Sequence, residues 1–230
     1  MINVCKKPIL FHIIEHYQKF GFRNFIIATG YKSDYIINYF KNKKSFEEIK
    51  KKSKKNLKDK HFTQIKKSSN FSIVDTGLNT MTGGRIKRLK KYIGNETFMM
   101  TYGDGLSDIN LKSLLNFHKK NKKLITLTAV HPPARFGELT INDDLVRAFE
   151  EKPQLQKGWI NGGFFVIEPE FLSLFGNNNV MLERQPMQKA VKTKNLAAYK
   201  HTGFWFAMDT LRDKRVLDTL IKTKKAPWLK

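Results

Sequence analysis

The stretch Phe98-Met99-Met100-Thr101-Tyr102-Gly103-Asp104-Gly105 decides the fold. The apolar run 98–100 reads as a buried strand of a parallel sheet, closed by turn residues. In open α/β sheets, ligands gather outside the carboxyl ends of the strands. Asp104 then points into a crevice, and Gly103 and Gly105 let backbone and ligand approach closely. A carboxylate there suits Mg²⁺, which takes one or two protein carboxylates plus substrate phosphates. The same residues also read as an Asp-Gly turn that caps a strand.

Outward from this stretch, helix and strand signals alternate. Residues 8–20 carry Ile9, Ile13, Tyr17 and Phe20 at helical spacing, with Pro8 at the start and Gly21 at the stop. A short strand over 24–29 follows, then a helix from Ser33 to about Phe40. Strands are expected at 71–74, 124–130 and 160–167, and helices at 83–92, 110–120 and 211–221. Short strands at 136–141 and 145–149 flank the turn Asn142-Asp143-Asp144. This alternation predicts an α/β fold with a mostly parallel mixed sheet flanked by helices. Residues 41–67 break the pattern with dense lysines, and read as an exposed, mobile insertion in a single domain spanning 1–230.

Composition narrows the function. The chain has 230 residues, enough for a sizeable core, and no run long and apolar enough to span a bilayer. Its single cysteine, Cys5, fits a reducing cytoplasm. The formal charge is +23, from 43 Lys+Arg against 20 Asp+Glu. Charge of this size supports non-specific polyanion binding. The lysines are spread over the whole chain, however, and arginine, the residue of specific phosphate and base recognition, is scarce. The expectation is therefore neither a specific nucleic-acid partner nor a membrane.

Several segments carry candidate chemistry. His12-Ile13-Ile14-Glu15-His16 matches the H-x-x-E-H zinc pattern, but so short a pattern arises easily by chance and has no obvious third ligand, so a surface or packing role is the expectation. Residues 75–85 bring small and hydroxyl side chains, Thr80 among them, to a helix N-terminus that favours anions, with Arg85 as a forked donor. Glu151-Lys152-Pro153 and Asn161-Gly162-Gly163 offer a carboxylate, an amine and an amide for a polyhydroxylated phosphate ligand. Asp209 caps a helix or, with Asp104, completes a divalent-metal site.

In this order the motifs resemble the sugar-1-phosphate nucleotidyltransferase family, and within it the glucose-1-phosphate cytidylyltransferases. The matching stretches include Lys7-Pro8-Ile9-Leu10, Met81-Thr82-Gly83-Gly84-Arg85, Thr101-Tyr102-Gly103-Asp104-Gly105, Gly203-Phe204-Trp205 and Met208-Asp209-Thr210-Leu211-Arg212-Asp213-Lys214. The resemblance implies a Rossmann-like, homo-oligomeric enzyme that joins CTP and glucose 1-phosphate into CDP-glucose and pyrophosphate for surface-polysaccharide sugars. It implies Mg²⁺ on Asp104 and Asp209. Thr80, Arg85 and Gly103 would contact the nucleotide. Glu151, Lys152, Asn161 and Gly162 would hold the sugar phosphate, with Lys152 also catalytic.

That family begins with a strand and a Gly-Gly-x-Gly-Thr-Arg loop ahead of the position of Met1, and has a glycine pair where Cys5-Lys6 stand here. The expectation from the resemblance is an N-terminally incomplete domain, its start upstream or its activity lost. The absent first strand would be central in the sheet, and its loss would cost much of the core.

Overall fold

The computed structural model describes residues 2–42, 61–66, 69–133, 137–150, 158–176 and 179–230. The elements follow in order: β1 (Asn3–Val4), β2 (Lys7–Pro8), α1 (Ile9–Lys19), β3 (Asn24–Thr29), α2 (Ser33–Asn42), β4 (His61–Lys66), β5 (Ser69–Asp75) and α3 (Thr82–Ile93). Next come β6 (Phe98–Thr101), β7 (Gly105–Ser107), α4 (Leu111–Asn121), β8 (Ile125–Val130), β9 (Glu138–Asn142), β10 (Leu145–Glu150) and β11 (Ile160–Ile167). A 3-10 turn (Pro169–Leu174), α5 (Gln185–Lys192), β12 (Leu196–Lys200), β13 (Trp205–Ala207), α6 (Leu211–Lys222) and a last 3-10 turn (Pro227–Leu229) complete the chain.

Local sequence accounts for most element ends. Gly21, at φ 89°, takes the left-handed turn after α1 that a side chain would resist. The Asn110 side chain accepts from Ser113 N–H at 3.0 Å and starts α4. At α6, Thr210 and Asp213 cap each other reciprocally, satisfying two otherwise orphan N–H groups.

The main strands form two ladders rather than one. One runs β3-β5-β4 and the other β12-β8-β11-β6. Among the described residues, β3 and β6 each keep one edge without a strand partner. The β6 residues are half-buried, short of the full burial expected of the strand before Asp104. The sheets are mixed, as expected, but the parallel majority is not found. Only β3/β5 and β8/β12 are parallel among the paired strands described. The reason is in the connections, because a parallel return needs a crossover of a dozen or more residues, usually a helix. No helix is described between β8 and β11, which run antiparallel, and only two residues separate β4 from β5.

Helices cover both faces. Successive residues of a strand point to opposite sides, and β11 shows the consequence. Phe164 and Val166 pack with Ile9, Ile13 and Tyr17 of α1, whereas Phe165 and Ile167 pack with Ile86 of α3. The neighbouring α1 positions Phe11 and Ile14 pack instead on Phe71 and Ile73 of β5 and on Phe40 of α2. The C-terminal Trp228 is buried beside Phe204, ring centroids 5.2 Å apart, and anchors the end of the chain to the α1 layer. A core is therefore present on both faces.

One further expectation changes. Both ends of the 41–67 insertion carry structure: α2 continues to Asn42, and His61–Lys66 forms β4. Residues 43–60, 67 and 68 lie outside the described residues. The H-x-x-E-H motif is packing, not zinc. His12 Nε2 bonds to Val4 O at 3.3 Å, and His16 Nε2 to Ile109 O at 2.9 Å. Glu15 turns to Lys7 at 2.6 Å.

Burial holds both imidazoles below the ordinary histidine pKa, only partly offset by their bonds to these carbonyls. Their contribution to stability is complete above the unfolded-state value of about 6.5 and is lost as pH falls below it, when the unfolded chain takes up protons first. The urea midpoint should therefore drop between pH 7.5 and pH 5. A His12→Gln/His16→Gln variant should show a flatter profile than the parent, and parallel profiles would contradict this.

Candidate active site

The acidic turn leaves β6 at Thr101 and enters β7 at Gly105. β7 pairs antiparallel with β13, Gly105 opposite Ala207, and Met208 N–H donates to Asp104 O at 2.9 Å. This ladder brings Asp104 and Asp209, far apart in sequence, to one end of the same two-stranded ribbon. Both side chains reach solvent. The Asp104 carboxyl titrates above the usual carboxylate range. Partial loss of hydration is the main cause, and the negative charge of Asp209 adds to it. Two carboxylates that repel each other at a sheet end suit a hard divalent cation, whose remaining positions substrate phosphates and water would fill. Among the described residues there is no cluster of three or more His, Cys, Asp or Glu able to hold a metal.

Asn161 and Gly162 stand beside this ribbon at the start of β11. The register of β11 on β8 shifts between Asn161 and Phe165, with Gly163 in a left-handed conformation at φ 76°. The Tyr102 ring lies where a Gly163 side chain would begin, so the glycine is needed for both reasons. Trp205 of β13 donates from Nε1 to Gly162 O at 2.7 Å, tying the β7–β13 ribbon to the bulge.

The loop before α3 is built differently from the expectation. Arg85 donates through Nη1 to Thr29 O at 2.9 Å and to Thr76 Oγ1 at 2.7 Å. Its guanidinium thereby joins the carboxyl ends of β3 and β5. Thr80 is buried, donates to Thr76 O at 2.6 Å and accepts from Arg88 Nη1 at 2.6 Å. Both residues brace the loop from within. The chain itself also takes two N–H groups at the start of α3. Met81 N–H is taken by Asn179 Oδ1 at 2.7 Å and Gly84 N–H by Val180 O at 3.1 Å. Gly83 is required by this approach, since a side chain there would meet Val180 O at 2.8 Å. A depression of about 510 Å³ lined by Lys87, Arg88, Lys90, Lys91, Gly94 and Asn95 includes neither Asp104 nor Asp209.

A strut joins the two sides. Tyr102 donates its hydroxyl to Glu183 Oε1 at 2.5 Å, and Thr82 donates to Glu183 Oε2 at 2.7 Å. Asn161 Nδ2 approaches the same phenol at 3.5 Å. Burial and the neighbouring Glu183 carboxylate raise the Tyr102 pKa and keep the phenol a donor. Sequence reading missed Arg88, Asn179 and Glu183. Their partners lie across folded contacts, and no local spacing signals them. Of the expected site residues, the structure gathers Asp104, Asp209, Asn161 and Gly162 around the acidic turn. Gly103 is exposed on that turn, with open space where a side chain would be. Glu151 and Lys152 lie outside the described residues.

Residues 1–210 match the family model for nucleotidyl transferase. The glucose-1-phosphate cytidylyltransferase of Salmonella typhimurium is 41% identical over 233 residues, covering 99% of this chain and 89% of that protein. The probable glucose-1-phosphate cytidylyltransferase of Bacillus subtilis is 38% identical over 228 residues, covering 96% of this chain and 87% of its own length. The structure of HddC from Yersinia pseudotuberculosis complexed with GMP-PN shares the fold, with a TM-score of 0.68 at 19% identity over 96% of this chain and 88% of that one. By its family match and by relatives that align along nearly its whole length, the chain belongs to the nucleotidyl transferase family.

Proposed function

We propose that this chain is a glucose-1-phosphate cytidylyltransferase, joining CTP and glucose 1-phosphate into CDP-glucose and pyrophosphate for surface-polysaccharide sugars. The observation that carries the reading is the Asp104–Asp209 pair at one end of the β7–β13 ribbon, in a chain 41% identical to an enzyme of that name. A sugar-phosphate oxygen attacks the α-phosphorus of CTP in line; a new P–O bond forms as the bond to pyrophosphate breaks. Such transfers depend on positioning and charge neutralisation.

Asp104 and Asp209 would hold a divalent cation, which we take to be Mg²⁺. When bound, it supplies charge neutralisation on the phosphates. Proton competition at Asp104 reaches higher pH than at an ordinary carboxylate, so cation affinity falls early on acidification. The exposed Asn161 amide would reach the sugar phosphate, the buried Gly162 beside it would shape the strand start there, and Gly103 leaves the turn backbone approachable from the nucleotide side. Arg85 and Thr80 hold the nucleotide loop in shape. Glu151 and Lys152 are assigned to the sugar phosphate by motif alone, with Lys152 also catalytic. The reaction would take place in the cytoplasm, to which a chain with one cysteine is suited.

The direct test is pyrophosphate release with glucose 1-phosphate, Mg²⁺ and each nucleoside triphosphate in turn. Release with CTP in preference to the others is expected; release with none, from folded protein, overturns the reading. Asp104→Asn should lower turnover about 10³-fold, the equivalent of roughly 4 kcal/mol of charge stabilisation. It should also abolish the rise in melting temperature that Mg²⁺ and CTP give the parent, and a melting shift that survives would remove Asp104 from the metal site. Tyr102→Phe deletes the donor to Glu183, a charge-assisted bond of about 1.5–3 kcal/mol, and should lower kcat/KM about 10–100-fold. Unchanged kinetics would show that the strut does not position substrate.

A further inference from the structure

α3 is a helix of one charge sign. It carries Arg85, Lys87, Arg88, Lys90 and Lys91 and no acidic residue. Like charges three or four positions apart on a helix repel. Lys87 stands so to Lys90 and Lys91, and Arg88 to Lys91. A complement to the helix dipole explains Lys90 and Lys91, which lie in the last turn. It does not explain Lys87 and Arg88, one turn earlier. Among the described residues neither Lys87 nor Lys90 has a carboxylate partner. The depression of about 510 Å³ on this helix is lined by Lys87, Arg88, Lys90 and Lys91 with Gly94 and Asn95, and by no carboxylate. Its size is that of a small-molecule site.

Arg88 ties this depression to the loop before α3. Its Nη1 donates to Thr76 O and, at 2.6 Å, to Thr80 Oγ1. The loop is tight against it, since a side chain at Gly77 would meet Arg88 Nη1 at 2.6 Å. Both bonds use one nitrogen of a planar fork whose five N–H groups can serve partners on two sides. A guanidinium among ammonium groups suits phosphate oxygens, the first as a forked donor and the others as point charges. Four cations around one depression call for an anion of several charges. We propose that the α3 depression binds a small polyphosphate anion, held by Lys87, Lys90 and Lys91 and linked through Arg88 to loop residues 76–80. The site is distinct from the Asp104–Asp209 pair and independent of the substrate assignment. Its consequence for a nucleotide rests on that assignment, because an anion that fixes Arg88 also fixes the loop.

Inorganic tripolyphosphate is the probe, added to the full chain in EDTA so that no divalent cation draws phosphate to Asp104 and Asp209. Acetylation of lysines, read by mass spectrometry, locates it without any activity measurement. Lys87 and Lys90 should react several-fold more slowly with the probe present, and the exposed Lys119 and Lys120 of α4 at an unchanged rate. Equal slowing of both pairs would overturn the proposal, reducing the effect to the +23 charge of the whole chain. In calorimetry Lys87→Gln/Lys90→Gln should bind the probe at least about 10-fold more weakly. Lys119→Gln/Lys120→Gln, with the same loss of charge, should bind like the parent. The α3 variant should melt no lower than the parent, since repulsion along the helix is relieved. Parent-like binding by that variant would overturn the site. Amide hydrogen exchange at residues 77–80 should slow with the probe in the parent and not in the α3 variant. Unchanged exchange in the parent would overturn the Arg88 link.

Discussion

The structure depends on α1 and α3 packing against opposite faces of two sheets that share no strand-to-strand ladder. Hydrogen bonds hold each sheet together internally, but none of the described pairings joins β3-β5-β4 to β12-β8-β11-β6. Apolar contact makes the connection. On one side α1 sends Phe11 and Ile14 to the first sheet and Ile13 and Tyr17 to the second. On the other, Ile86 of α3 packs with Phe165 and Ile167, while Arg85 of the same helix is bonded to Thr29 at the end of β3. Burial of this kind is non-directional and close-packed. The relative placement of the sheets is thus set by side-chain shape instead of hydrogen-bond register.

The site inherits that arrangement. Asp104, Asp209, Asn161 and Gly162 belong to the second sheet and its attached ribbon. Thr80, in the loop, and Arg85, in the first turn of α3, stand at the carboxyl ends of the first. The chain segment 179–183 reaches across, feeding Asn179 and Val180 into the start of α3 and Glu183 into the acidic turn. Gly83 earns its place here, through a backbone approach no side chain would allow.

Much of this was legible in the sequence. Helical spacing at Ile9, Ile13 and Tyr17, the helix beginning near Asn110 and the strand over 160–167 each have a local physical cause, and each was found where expected. The ordered motifs also pointed to the right family, which a single Asp-Gly turn would not have done. What escaped was short or long-range. Gly105–Ser107 is too brief for any periodicity to show, and the lysines around His61–Lys66 hid the alternation of β4. The direction of β11 goes with the absence, among the described residues, of a crossover helix after Val130. His12 and His16 show why motif spacing alone does not carry a metal site, since one-turn spacing equally suits two rings buried against backbone carbonyls. Thr80 and Arg85 have the chemistry of ligand contacts, yet the fold turns them to its own carbonyls and hydroxyls.

The chain of bonds from Thr82 through Glu183 and Tyr102 to Asn161 runs from the helix start on one side of the crevice to the strand start on the other. A rigid polar bridge between two subsites makes them thermodynamically reciprocal. Whatever free energy one occupant gains by ordering the bridge, the other gains in equal measure. On the proposed function, such a bridge would convert two separate affinities into one shared quantity.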